Sequence, residues 1–470
     1  MKVDLLQADV ASSLTLPSQF TSSCPGVLFR PDDLFDVASP SHLLIIARAG
    51  AGGTILSSDF VMDCLSRQIP AVILDWEGPY YPYNNYLTLV NFLREQGLSA
   101  CHRQLYAGSY NLIALPNLTE DMQGSLKHKL LLSFHKEAIG YLVLGDESHD
   151  QATFNVTSGL IHQSYEAFHA KPDIQRRYSE GHAGGSDSVV NAKIPTLIDY
   201  LKFAEFWFES YSVTEQIQRD CIEHILKRLR EKLSGELMPL IAGPGGFDVD
   251  SMLLMLSILD SFISVDPDEA VIRALVAVSA ALNRCLVSSS SLLMLDQMGY
   301  FSRSEALKRV LCLLCSEGLA LGLAVVLGHT SISHAIDTSS GLRLMEMFGT
   351  KMIGHVSPQE LESLASIGFS PEVSHRYIDS SAACFQDLNT SWHVCKGDGS
   401  VDVTHKPKPL LLSVMANNAR EQEARERVMS RFPDDPLRGL QEFASGYIPC
   451  LQKGGDLELL GLEVGVSDTL

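Results

Sequence analysis

Continuous apolar runs alternate with amphipathic stretches along the chain, and that alternation sets the expected fold. Leu43-Leu44-Ile45-Ile46 is apolar at every position and runs into a turn, which predicts a strand buried on both faces of a parallel sheet. Ser57 to Arg67 reads as a helix that breaks before Pro70, and Ala71-Val72-Ile73-Leu74-Asp75 as a second buried strand closed by an acid. Strand, helix and strand over about 30 residues make a right-handed βαβ unit. Leu87 to Gln96 reads as a helix, Cys101 to Tyr106 as a strand, and Asn111 to Pro116 as an extended edge segment. Lys127 to Leu144 and Asp150 to Phe168 carry apolar residues at helical spacing.

Beyond that point a polar stretch, Arg176 to Ser188, is expected to be a loop, and Pro195 to open a helix. Thr214 to Leu233 is predicted helical, with Ile217, Cys221, Ile225 and Leu229 on one face. After the Gly243 to Gly246 turn, Phe247 to Asp250 reads as a short strand. Asp268 to Arg284 is Ala-rich and helical, and Ser291 to Asp296 is another apolar strand ending in an acid. A helix over Ser304 to Glu317 leads to a strand over Leu321 to Leu327, followed by Gly328 and His329. Gly341 to Phe348 and Pro358 to Ile367 read as helices around a Lys351 to Val356 strand. Ser391 to Val403 looks like a hairpin turning at Gly397-Asp398-Gly399. Leu410 to Met415 reads as a strand and Asn418 to Met429 as a charged helix, while the stretch past Phe432 is weakly patterned. No internal repeat is visible. The sum is an α/β chain with a largely parallel sheet, which puts ligands at the carboxyl ends of its strands.

Composition narrows the function classes. At 470 residues and 46% hydrophobic, the chain is long enough for a large core. Its 56 acidic residues outweigh 36 basic ones, for a net charge of −20, which argues against a general nucleic-acid surface. The one dense basic stretch, Lys227 to Lys232, is interleaved with acid and reads as a solvated helix face. The ten cysteines lack framework spacing, so free thiols in a reducing compartment are expected. Asp4 and Asp9 interrupt the N-terminal stretch, which argues against a signal peptide. No window approaches the ~20 apolar residues of a membrane span. Membrane contact is therefore expected only through protein partners.

The candidate chemistry sits at three strand ends. After Ile46 comes Ala47-Arg48-Ala49-Gly50-Ala51-Gly52-Gly53-Thr54, which follows the strand, Gly-rich loop and helix layout of a phosphate-binding P-loop. Gly50, Gly52 and Gly53 can present N–H groups to phosphate, and Thr54 has the hydroxyl that would ligate Mg²⁺. The lysine position holds Gly53, and Arg48 is the nearby cation that stands in the loop. A ligand-free turn of small residues remains the alternative. The second end, Leu292 to Gln297, has the Walker B form: an apolar strand, Asp296 for Mg²⁺, and then Gln297 where a general base would be Glu. An amide orients water but cannot take its proton. The third is Gly328-His329. Cys312 and Cys315 lie mid-helix and read as structural thiols. His329 with His334 lacks acids to complete a metal site, and Asp75 with Glu77 reads as a solvated loop edge. Trp207 with Phe203, Phe206 and Phe208 reads as core or interface.

In order and spacing these segments resemble the ATPase core of conjugative type IV secretion motors, the TraC-like group in the HerA/FtsK branch of P-loop proteins. SHLLIIARAGAGGT resembles their Walker A strand and loop, PAVILDWEGPYY the second strand, YAGSYNLIALPNL the segment ending in Asn-Pro, and IPTLIDYLKF their Pro-Thr-Leu-x-Asp helix start. FDVD and SLLMLDQ are similar to the short strand and Walker B, and LALGLAVVLGHTSI to the sensor strand, with His329 at or next to its Gln. The resemblance covers roughly residues 30 to 430, and the family's larger N-terminal domain is not matched. It implies an α/β, P-loop RecA-like fold: a largely parallel sheet flanked by helices, with a helical insertion between the second strand region and Walker B. The expected division is an arm over 1–40, a first half over 41–115, a mainly helical insertion over 116–240, a second half over 241–430 and a tail over 431–470.

Three departures fall on catalysis: Gly53 for Lys, Gln297 for Glu and His329 for Gln. Losing a transition-state cation and a general base together removes most turnover. The resemblance therefore implies a catalytically degenerate ATPase-like subunit, structural or regulatory, of a conjugation-type secretion assembly. ATP with Mg²⁺ would bind weakly or not at all, Arg48, Gly50, Gly52, Gly53, Thr54 and Asp296 forming the cofactor site, with Thr54 and Asp296 as the Mg²⁺ ligands. It also implies homo- or hetero-oligomers with an active paralogue or secretion-complex subunits, in the cytoplasm or at the inner face of the membrane. Two alternatives stand: an active motor that draws a cation from Arg48 or a neighbouring subunit, and a scaffold that binds proteins but no nucleotide.

Overall fold

A computed structural model describes residues 19–22, 41–48, 50–76, 85–105, 109–116, 125–146, 150–182, 194–213, 215–243, 250–258, 266–296, 304–333, 335–379, 388–397, 399–416 and 418–453. Among these, ten strands form one sheet in the order β1-β10-β9-β8-β2-β7-β6-β3-β5-β4. They are β1 (Gln19–Ser22), β2 (Leu43–Ile46), β3 (Ala71–Asp75), β4 (Ala100–Gln104), β5 (Leu253–Ser257), β6 (Ser291–Asp296), β7 (Leu323–His329), β8 (Thr350–Ile353), β9 (Thr390–Lys396) and β10 (Gly399–Lys406). The seven strands from β8 to β4 pair in parallel. The β9–β10 hairpin and β1 continue the sheet antiparallel beyond β8.

Helices α1 (Gly53–Ser66) and α2 (Asn85–Glu95) follow β2 and β3. Between β4 and β5 lie α3 (Leu126–Leu144), α4 (Gln151–His169), α5 (Pro172–His182), α6 (Leu197–Glu209), α7 (Gln216–Ser234) and α8 (Met238–Ala242). Next come α9 (Pro267–Cys285), α10 (Glu305–Glu317) and α11 (Ser339–Glu346), which link β5 through β8. Short helices α12 (Leu361–Ser366) and α13 (Pro371–Asp379) precede β9, and α14 (Pro409–Val414), α15 (Ala419–Met429) and α16 (Pro436–Lys453) follow β10.

The apolar runs are apolar at every position because both faces of the sheet are covered. Leu44, Ile46, Val72, Leu74, Leu254, Leu256, Leu293, Leu295, Val325 and Leu327 face one cluster, built with α3, α4, α6, α7, α9 and α10. Their neighbours Leu43, Ile45, Ala71, Ile73, Leu253, Met255, Leu292, Met294, Ala324 and Val326 face the other, built with α1, α2 and α14 to α16. Buried polar side chains fix the layers. His42 donates from Nε2 to the Cys315 carbonyl (2.9 Å) and accepts the Val325 N–H at Nδ1 (3.0 Å). Buried Lys308 bonds Glu305 (3.0 Å) and Asp337 (2.8 Å), which ties the segment after β7 to α10.

The P-loop-like α/β fold with its helical insertion is as expected, and several elements are not. Of the strand expected over Phe247 to Asp250, Asp250 lies in a bend and 247–249 fall outside the described residues, while β5 at Leu253–Ser257 is an element the sequence reading lacks. Leu253–Ser257 has the same unbroken apolar character as β2 and β3, and it fills the space between β3 and β4. The strand expected over Leu410 to Met415 is helix α14, opened by Pro409, which fits the first turn of a helix. The weakly patterned stretch past Phe432 contains α16, whose buried Leu440, Phe443, Ala444 and Tyr447 recur at helical spacing. The loop expected from Arg176 is helical through His182, and 183–188 lie outside the described residues. Asn111 to Pro116 is no sheet edge. It is buried beside α8 and α9, Asn111 bridging to Ala242 and Ser279 donating to the Leu112 carbonyl (2.9 Å).

Candidate functional site

Parallel registration brings the strand ends into one row. Ile46 is level with His329 and Ile353, Leu295 with Leu327, Asp75 with both Asp296 and Ser257. β7 thus lies between β2 and β6, and the Gly-rich loop and Asp296 open onto the same carboxyl edge, where α/β sheets bind ligands.

Backbone contacts hold the loop. The Ala47 N–H donates to the His329 carbonyl (3.0 Å) and the Arg48 N–H to the His355 carbonyl (2.7 Å). Gly50 (φ 79°) and Gly52 (φ 89°) take left-handed conformations that a side chain would strain. At Gly52 a Cβ would also come within 2.6 Å of the Thr390 methyl group on β9. Helix α1 starts at Gly53 with no side-chain cap, so its first N–H groups have the orientation that suits an anion. Arg48 projects exposed from the loop. Burial, and next the Arg48 charge, lower the pKa of His355.

Thr54, one residue into α1, directs its hydroxyl at Asp296 Oδ2 (3.3 Å), a long contact for an O–H donor. The same Oδ2 accepts the hydroxyl of Tyr86 in the first turn of α2 at 2.7 Å. Burial, and then the Asp296 charge, push the Tyr86 phenol well above its usual range, so it stays protonated as a donor. The other Asp296 oxygen packs over β7, where a Cβ at Gly328 would be 2.5 Å from Oδ1. Gly328 is therefore the residue that admits this carboxylate.

Of the expected site residues, the structure brings Arg48, Gly50, Gly52, Gly53, Thr54, Asp296 and His329 to this edge. His329 is buried and reaches the loop through its backbone carbonyl. Gln297, Glu77 and His334 fall outside the described residues. Asp75 is not the solvated loop edge expected: it is buried beside Asp296 in register and accepts a hydroxyl from Ser257 (3.4 Å). Cys312 and Cys315 are free thiols within α10, Cys315 buried. Among the described residues no group of three metal ligands converges.

Four residues had no sequence signal. Tyr86 meets Asp296 across 210 positions. Thr390 takes the Trp392 indole N–H (2.8 Å) and bonds His405 (3.3 Å). His405 in turn bonds Asp59 of α1 (2.6 Å), both side chains almost wholly buried. Glu360 takes the Ile332 N–H (2.9 Å), which fixes the segment after His329.

A solved protein has a similar fold. VirB4 of Thermoanaerobacter pseudethanolicus superposes with a TM-score of 0.55, over 79% of this chain and 90% of VirB4, at 12% identity. The chain shares its fold with VirB4. The plasmid coupling protein TrwB in complex with ADP and Mg²⁺ overlaps over 85% of this chain and 92% of its own, at 14% identity and a TM-score of 0.47. No family model and no curated protein sequence matches. The fold assignment rests on VirB4.

Chemically, the donors at this edge are of the kinds that phosphate and a hard cation take. Main-chain N–H groups and the start of α1 offer an anion cradle, and the Thr54 hydroxyl and Asp296 carboxylate are oxygen donors of the type Mg²⁺ takes. Mg²⁺ held there would offset phosphate charge. Position 53 has no ammonium to help it.

Proposed function

We propose that this chain is a catalytically degenerate P-loop ATPase-like subunit with a structural or regulatory place in a conjugation-type secretion assembly. The observation that carries the reading is the convergence of Thr54 with Asp296 under a left-handed glycine loop that lacks its lysine at Gly53. The cradle is kept, and the cation that would stabilise a transferring phosphoryl group is not. The fold shared with VirB4 and the resemblance to TraC-like motors support the assembly half of the reading. ATP binds weakly at the loop, Arg48 being the loop's cation, next to a β9–β10 hairpin that His405 and Asp59 already tie to α1. Contacts with an active paralogue or with other secretion subunits supply any work.

Isothermal calorimetry tests the nucleotide half. ATP with Mg²⁺ should bind the unaltered protein weakly, and Gly53→Lys should tighten binding about tenfold, the worth of one charge-assisted contact. No heat from either protein at millimolar ATP leaves only a shell that binds proteins.

A further inference from the structure

We propose that the Tyr86 hydroxyl closes the divalent-cation position at Asp296, so that a cation enters only when the phenol withdraws. The inference rests on the site reading above and concerns this chain's own residues. Asp296 Oδ2 is already engaged by two hydroxyls. Oδ2 accepts Tyr86 at 2.7 Å and Thr54 at 3.3 Å, and Oδ1 is pressed over Gly328. Turning the carboxylate to present Oδ2 to a cation would break the Tyr86 bond.

Tyr86 is itself fixed. Its ring is 4% exposed and belongs to the apolar cluster with Phe60, Leu89 and Met294, its hydroxyl lying 3.7 Å from the Met294 sulfur. Ser57 of α1 also reaches that hydroxyl. The phenol thus joins α1, α2 and β6 at one atom. A buried carboxylate needs donors or a cation, and two neutral hydroxyls on Oδ2 supply the donors. Mg²⁺ gives up its water reluctantly, so it competes poorly for an oxygen already held by a buried donor. Tyr86 is a positioning residue: it keeps the edge assembled without metal and sets a threshold for cation entry.

Mn²⁺ binding followed by electron paramagnetic resonance tests this on the full chain with no nucleotide present. Tyr86→Phe keeps the ring and removes the donor, and it should raise Mn²⁺ affinity roughly ten- to a hundredfold. Asp296→Asn in that background should abolish the gain. Equal affinity in the unaltered protein and Tyr86→Phe, or a gain that survives Asp296→Asn, overturns the proposal. Should Tyr86→Phe not fold, ultraviolet difference spectroscopy of the unaltered protein decides: Mn²⁺ should shift a tyrosine band as the phenol leaves Asp296, a shift that Asp296→Asn abolishes, and Mn²⁺ binding without a tyrosine shift contradicts the closure. Because ATP is absent, a protein that shows the gain yet binds no ATP retains the clasp and refutes only the nucleotide reading.

Discussion

Gly52 meets two demands at once, a left-handed backbone and a Thr390 methyl group where its own side chain would start. Gly52→Ala should therefore lower unfolding stability by about 1–3 kcal/mol, read as an earlier urea midpoint. An unchanged midpoint would mean that the loop relaxes freely and that the hairpin does not brace it. The residues whose type carries chemistry were legible at this scale: the glycines, Thr54 and Asp296 stand in a recognised order along the chain. Their partners were not. Tyr86 and Thr390 act through contacts across the sheet and layers, and no local spacing marks a tyrosine that will meet a carboxylate 210 positions away. Asp75 shows the same limit, since a strand-ending acid reads alike whether its neighbour is water or a second strand's acid.

Elements obey the sequence where a strand's surroundings are uniform. β2, β3, β6 and β7 are covered on both faces, so apolarity is continuous and easily read. β5 is equally apolar, but at five residues between a glycine turn and Pro267 it lacks a local signal that separates a buried strand from other short apolar runs. α14 and α16 escape a local reading because their partners are mainly each other, α15 and α2, and such packing outweighs local propensity. His42 joins two elements, α10 and β7, and carries a pH prediction. Burial lowers its pKa from 6.5 to about 4, against the opposing Cys315 carbonyl bond. A histidine pushed down stays neutral in the folded state while the unfolded chain binds a proton. Its contribution is complete above pH 6.5 and is lost as pH falls through 4, by up to about 3 kcal/mol. Urea titrations at pH 7, 5.5 and 4 should show a steeper acid loss for the unaltered protein than for His42→Asn. Parallel losses would place the acid sensitivity elsewhere, in His102, His135 or His169, which burial also lowers.

For the whole molecule, the sheet order puts the glycine loop, Asp296 and Asp75 on one edge, and the helices from α3 to α8 stand between β4 and β5 as an added layer. None of the described helices is long and apolar enough to cross a membrane. The central claim is that the edge holds nucleotide without turning it over. Incubating excess protein with α-labelled ATP and Mg²⁺, then separating bound from free label, reads both properties together. Retained label that still chromatographs as ATP after an hour is the predicted result. Conversion to ADP at the ~1 s⁻¹ or faster of ordinary enzymes would contradict it and make Arg48, or a neighbouring subunit's cation, the working replacement for the missing lysine.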